Sequence, residues 1–130
     1  MSETVERLQT ATAGLLWTSE ADYPFEIFEW TDRTELDRDA LLNFLALPPD
    51  TQVEHVGVES FFEKAMRDRD WYDEVESARA QRFRDLVAVL HQTLSQIRVF
   101  CLGTVEIDVY IVGRSAQETW AGLHTHIVET

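Results

Sequence analysis

Val99-Phe100-Cys101-Leu102-Gly103-Thr104-Val105-Glu106-Ile107-Asp108-Val109-Tyr110-Ile111-Val112 sets two apolar runs on either side of a Gly-Thr pair. In the second run Val105, Ile107, Val109 and Ile111 alternate with Glu106, Asp108, Tyr110 and Val112. A period of two sends successive side chains to opposite faces of a sheet. The stretch therefore predicts an antiparallel hairpin turning at Gly103-Thr104. Beyond it, Gly113 to Glu118 is a polar turn, and Trp120 to Val128 alternates with Leu123, Thr125 and Ile127 on one face, adding a third strand.

Working back from the hairpin, Asp73 can cap a long helix. Its apolar stripe runs through Ala78 or Arg79, Phe83, Leu86, Val87, Leu90, Leu94 and Ile97. Ser2, with Glu3 and Glu6 behind it and Val5, Leu8, Ala11 or Thr12 and Leu15 or Leu16 in register, predicts a first helix ending near Gly14. Gly14 to Trp30 then gathers Trp17, Tyr23, Phe25, Phe28 and Trp30 around a polar knuckle, Thr18 to Asp22. Glu20 is expected at the tip of that anchored loop. Tyr23-Pro24 forces an extended entry into a strand in which Phe25, Ile27 and Glu29 alternate with Glu26, Phe28 and Trp30, one face being expected fully buried.

Between these segments, Thr31 to Asp39 is turn-like, and Leu41, Leu42 and Leu45 suggest a short helix stopped before Pro48-Pro49. Val53 to Val56 suggests an edge strand, Glu59 to Met66 a brief helix, and Arg67 to Asp70 a charged loop. With no repeats or linkers, the order predicts one domain over residues 1–130 of the α+β class, an antiparallel sheet carrying helices on its faces.

The formal net charge is −13, from 24 acids against 11 bases, with Lys64 as the sole lysine. Such a surface repels polyanions, so direct nucleic-acid binding is not expected. A basic partner is attracted across a Debye length of about 8–10 Å. The polar, acidic start and the lack of any long apolar window predict a soluble cytoplasmic protein without a membrane span. One cysteine, Cys101, allows no internal disulfide.

Enzyme chemistry has little to stand on. His124-Thr125-His126 puts two imidazoles on one strand face, a spacing that suits zinc, but no third ligand follows, and an exposed polar strand face is the expected reading. Cys101 lacks the surroundings of a thiol catalyst. Glu26, Glu29, Glu106 and Asp108 are expected to mark wet strand faces rather than a pair of catalytic carboxylates. There is no Gly-rich phosphate loop and no Ser-centred elbow. The chain is thus expected to be neither an enzyme nor a cofactor carrier. Asp70-Trp71-Tyr72-Asp73 is different: a large aromatic in a charged loop either anchors an interface or folds back onto the core.

Three blocks resemble the nuclease A inhibitor family. They are Gly14-Leu15-Leu16-Trp17-Thr18-Ser19-Glu20 with Tyr23-Pro24-Phe25-Glu26, Ser60-Phe61-Phe62 with Asp70-Trp71-Tyr72, and Leu102 to Gly113 with Ala121-Gly122 and Val128-Glu129-Thr130. The likeness covers nearly the whole chain and is weakest from Thr31 to Gly57. It implies a three-layer α/β/α sandwich around a mainly antiparallel sheet. It also implies a monomeric acidic protein that blocks a metal-dependent, sugar-non-specific DNA/RNA endonuclease in a one-to-one heterodimer. In the family, acids at the position of Glu20, the tryptophan at Trp71 and the threonine at Thr130 touch the nuclease, the last reaching the nuclease's catalytic metal. His124, His126 and the arginine-rich base set depart from the family pattern. The alternative is an acidic interaction domain of the same fold with a target that is not a nuclease.

Overall fold

A computed structural model describes residues 3–18, 21–30, 37–67 and 69–129. Along the chain the elements are α1 (Glu3–Thr12), β1 (Leu16–Thr18), β2 (Asp22–Pro24), β3 (Glu26–Trp30), α2 (Arg38–Phe44), β4 (Val53–Val56), α3 (Val58–Met66), α4 (Glu74–Thr93), β5 (Ser95–Leu102), β6 (Glu106–Arg114) and β7 (Trp120–Val128). The Val99–Val112 stretch forms the expected hairpin, β5 pairing with β6 so that Phe100 faces Tyr110 and Cys101 faces Val109. Gly103 makes the turn at a φ of 116°, and a Cβ there would lie 2.4 Å from the Glu106 carbonyl oxygen, so the position requires glycine.

Five strands make one antiparallel sheet in the order β3-β7-β6-β5-β4. The chain is α+β, as its pattern of elements predicts. Alternation along β6 and β7 divides the core. Val109, Ile111, Leu123 and Ile127 join Leu8 of α1, Phe62 of α3, and Phe83, Leu86 and Leu90 of α4 in the larger cluster. Val112 and Trp120 join Leu41 and Leu42 of α2, with Phe100 and Leu102, in the smaller one. Leu8, Phe62, Leu86, Leu90, Ile111 and Leu123 are fully buried. Each such side chain contributes about 1.5–3 kcal/mol over leaving it exposed.

Local signals explain the helix ends. The Asp73 carboxylate accepts from Glu76 N at 2.8 Å and starts α4, while Asp37 accepts from Ala40 N at 2.8 Å and starts α2. Arg82 donates to the Ala11 and Ala13 carbonyls at 3.1 and 2.9 Å, capping the C-terminal end of α1 from α4. The Ser2 cap predicted for α1 lies outside the described residues.

Several expectations need correction. The α4 stripe uses Ala80, buried, where Ala78 and Arg79 are exposed, and the helix stops at Thr93. Leu94 is the C-cap and Ile97 already belongs to β5, because extended backbone carries on the apolar spacing that the helix began. Arg38 and Asp39 form the first turn of α2 rather than a loop. No face of β3 is fully buried: as an edge strand it keeps Ile27, Phe28 and Trp30 half-covered, and the buried residue is Phe25, just before it. The knuckle is narrower than expected, because Thr18 and Asp22 pair as the last and first residues of a small β1–β2 hairpin. Three-residue strands carry too little pattern to be read from sequence.

Cys101 settles one further point. Burial, then the Glu54 and Glu129 carboxylates, push its thiol up to about 11 from an ordinary 9.0. At pH 8 only about one thiol in a thousand would be ionised, and the thiolate is the nucleophile. Alkylation of the folded protein by iodoacetamide is expected to run roughly a hundred-fold slower than in 6 M guanidinium. Equal rates would contradict the half-buried setting beside two carboxylates. The linkage has a definite sign: the unfolded chain loses this proton first, so stability falls as pH rises from 9.0 to about 11.

Candidate functional site

The sheet register determines which loops share a surface. Glu26 of β3 pairs with His124 of β7, so in this antiparallel pair the residues before Glu26 lie beside those after His124. β2 therefore runs along the C-terminal half of β7. Thr125 Oγ1 donates to the Pro24 carbonyl at 3.1 Å, and the Tyr23 ring meets His126 edge-on with centroids 4.9 Å apart. At the end of β7 the Glu129 N–H donates to the Val105 carbonyl at 2.8 Å, fixing the residue before Thr130 against the β5–β6 turn. Glu20 and Thr130 themselves lie outside the described residues. Their flanks, β2 and the end of β7, are in direct contact.

β1 links this region to the helices. Trp17 stacks on Phe61 at 4.6 Å and 14° and packs edge-on against Phe62 and Phe83. This anchors the strand leading to Glu20 in the larger core cluster. Leu16, next to it, is 43% exposed. Beyond Leu16 opens a cavity of about 300 Å³ lined by Trp17, Lys64, Ala65, Tyr72, Glu76, Arg79, Ala80 and Phe83. Tyr72 belongs to the loop that carries Trp71.

Trp71 is 75% exposed. It does not fold back onto the core. Its loop is nevertheless held at both ends. Arg84 of α4 donates to the Met66 carbonyl at 2.7 Å, Tyr72 N donates to the Arg69 carbonyl at 3.0 Å, and Asp73 caps α4. The Arg69 guanidinium lies 5.6 Å from the Trp71 ring centre and Tyr72 meets it edge-on at 6.3 Å. An indole has few rotatable bonds to order on binding, which suits one exposed on a loop held at both ends to anchor a partner.

The two histidines are not on an exposed face as expected. Each side chain is about a quarter exposed, and both reach one oxygen of Asp108, His124 Nε2 at 3.1 Å and His126 Nδ1 at 3.2 Å. Register explains it: Asp108 pairs with His126 directly and with His124 on the diagonal, while Tyr110 pairs with His124 and stacks on it at 4.6 Å. The carboxylate thus engages one nitrogen of each imidazole, and His124 Nδ1 lies 3.7 Å from Glu26 Oε2. Among the described residues no group of three or more His, Cys, Asp or Glu side chains is arranged to hold a metal. Burial first, then Asp108 and Glu26, raises the Tyr110 phenol above its ordinary value. Asp108 is thus no mere marker of a wet face. Nor is Glu29, which accepts from Thr119 Oγ1 at 2.8 Å, whereas Glu26 and Glu106 are exposed. Sequence reasoning missed the cluster because the carboxylate lies 16 and 18 residues away from its partners. Through the Tyr23 contact, the His126 end of the cluster helps hold β2 against β7.

Among the described residues, Trp71 and Leu16 are large apolar side chains exposed in this region. No helix among the described residues is long and apolar enough to cross a membrane. No curated protein matches the chain. A family model described as nuclease A inhibitor-like protein matches residues 2–130, essentially the full sequence, and the chain belongs to that family.

Proposed function

We propose that this protein inhibits a metal-dependent, sugar-non-specific DNA/RNA endonuclease by occupying its active site in a one-to-one complex. Glu20 meets the basic residues that would otherwise grip the scissile phosphate, Trp71 anchors the rim, and Thr130 brings oxygen to the nuclease's metal. The observation that supports this reading most is Trp71, bare to solvent on a loop fixed at both ends and joined through Tyr72 and Leu16 to the strand that leads to Glu20. The charge of −13 adds long-range attraction for a basic active site. Divalent magnesium takes hard oxygen ligands at about 2.0–2.1 Å and keeps several waters, one of which a threonine oxygen can replace.

An extension tests the last of these roles. Glycine-serine residues appended after Thr130 are expected to weaken inhibition roughly a hundred-fold, the scale of losing one dominant contact. The melting temperature should not change, since the extension follows the final strand. Unchanged potency would remove Thr130 from the nuclease's metal.

A further inference from the structure

Among the described residues, the cavity next to the loop of Trp71 is lined by two bases and one acid, the reverse of the balance in the chain as a whole. Its floor is aromatic, from Trp17 and Phe83, and Tyr72 forms one wall. Two cations line it, Lys64 near the C-terminal end of α3 and Arg79 on α4, both with exposed side chains and neither in a hydrogen bond or ion pair among the described residues. Among the described residues Glu76 is the one acid in the lining. Other bases are engaged: Arg67 with Glu63, Arg82 with the end of α1, Arg84 with Met66 and Gln81, and Arg38 with Asp39 and two carbonyls. In a chain of 24 acids and 11 bases, these two cations stand unpaired among the described residues over one apolar hollow.

We infer that this cavity receives an acidic side chain of the bound nuclease together with an apolar neighbour, and that it fixes the orientation of the complex. The inference rests on the nuclease-inhibitor reading and supplies the contact opposite in sign to Glu20. A net charge of −13 draws a basic partner from every direction and so specifies no register. A local positive pair on an apolar floor accepts only a part of the partner that its own surface offers rarely, an acid beside a large apolar group. Misaligned encounters place the partner's bases against Lys64 and Arg79 and are rejected. The cavity volume of about 300 Å³ admits an acidic side chain and part of an apolar neighbour; exposed Leu16 belongs to the lining, and Tyr72 joins it to the loop that carries Trp71.

The test uses a sign. Lys64→Glu with Arg79→Glu makes the protein more acidic, so if overall charge alone governs binding, a basic nuclease should associate faster and be inhibited more tightly. The cavity contact predicts the reverse, inhibition at least ten-fold weaker and mostly through faster dissociation. Both side chains are exposed, and an unchanged circular-dichroism melt verifies the fold. Lys64→Ala with Arg79→Ala, which removes the contact without adding repulsion, should lie between the double reversal and the parent. Equal or tighter inhibition by the reversal, while Trp71→Ala still weakens inhibition in the same assay, would overturn the cavity contact and leave the inhibitor reading intact. No inhibition by the parent protein would overturn both.

Discussion

Trp71→Ala is expected to weaken inhibition of the partner nuclease by about 2–4 kcal/mol, roughly 30- to 1,000-fold in Kd, with the fold untouched. The two halves of this result have separate causes. An indole that is 75% exposed gives almost nothing to the core, so its loss should leave the stability within about 0.5 kcal/mol. The loop would also persist, because Arg84, Arg69 and Asp73 hold it through backbone groups that the substitution does not alter. On binding, the same indole covers a large apolar area with two rotatable bonds already restricted by Tyr72 and Arg69. Trp71→Phe should keep part of the affinity. Competitive inhibition constants beside thermal melts check both halves; a lowered melting temperature with unchanged inhibition would mean that Trp71 serves the fold.

Gly122→Ala is expected to have the opposite profile, costing more than about 3 kcal/mol of stability and lowering the melting temperature by on the order of 10 °C. Gly122 is the third residue of β7, the strand between β3 and β6, opposite Phe28 on one side and Val112 on the other. A Cβ there would lie 1.8 Å from the Ile111 carbonyl oxygen and 2.8 Å from its carbon. Both obstructing atoms are backbone of the neighbouring strand, so relief requires spreading the sheet where it is buried on both faces. Inhibition should fail because β7 no longer positions β2 or the Glu129 end. Gly57→Ser is the control: the nearest atom to a Cβ is Ser60 Oγ at 3.9 Å, and serine suits the cap of α3. Urea titrations of the three proteins give the comparison. A Gly122→Ala protein as stable as its parent would contradict the β6–β7 packing.

What could be read from sequence here was local. Asp73 announces α4 because a cap and the helix behind it are neighbours in the chain, and the β5–β6 hairpin is visible because Gly103 and its two flanking runs are contiguous. The errors arise where contacts are distant. α4 ends earlier than its apolar spacing predicts because Leu94 and Ile97 keep a helical spacing while serving a cap and a strand. The β1–β2 pair leaves no local pattern, since Trp17 is ordered chiefly by Phe61, Phe62 and Phe83, some 44 to 66 residues on. The Asp108 link to His124 and His126 needs the β6–β7 register, which one residue of slip would abolish. For the candidate site, Trp71 left two readings open, and its exposure closes one of them. Glu20 and Thr130 rest on family resemblance, since neither a lone acid in a polar knuckle nor a threonine after a strand carries a pattern of its own.

The most direct measurement is a titration of a basic, magnesium-dependent nuclease that cuts both DNA and RNA, at nuclease concentrations well above the expected Kd. The inhibitor account predicts a linear loss of both activities to zero at one equivalent of this protein, unaffected by raising the magnesium concentration tenfold, which would defeat simple chelation by an acidic chain. Full activity at a tenfold excess of the protein, on either substrate, would contradict it.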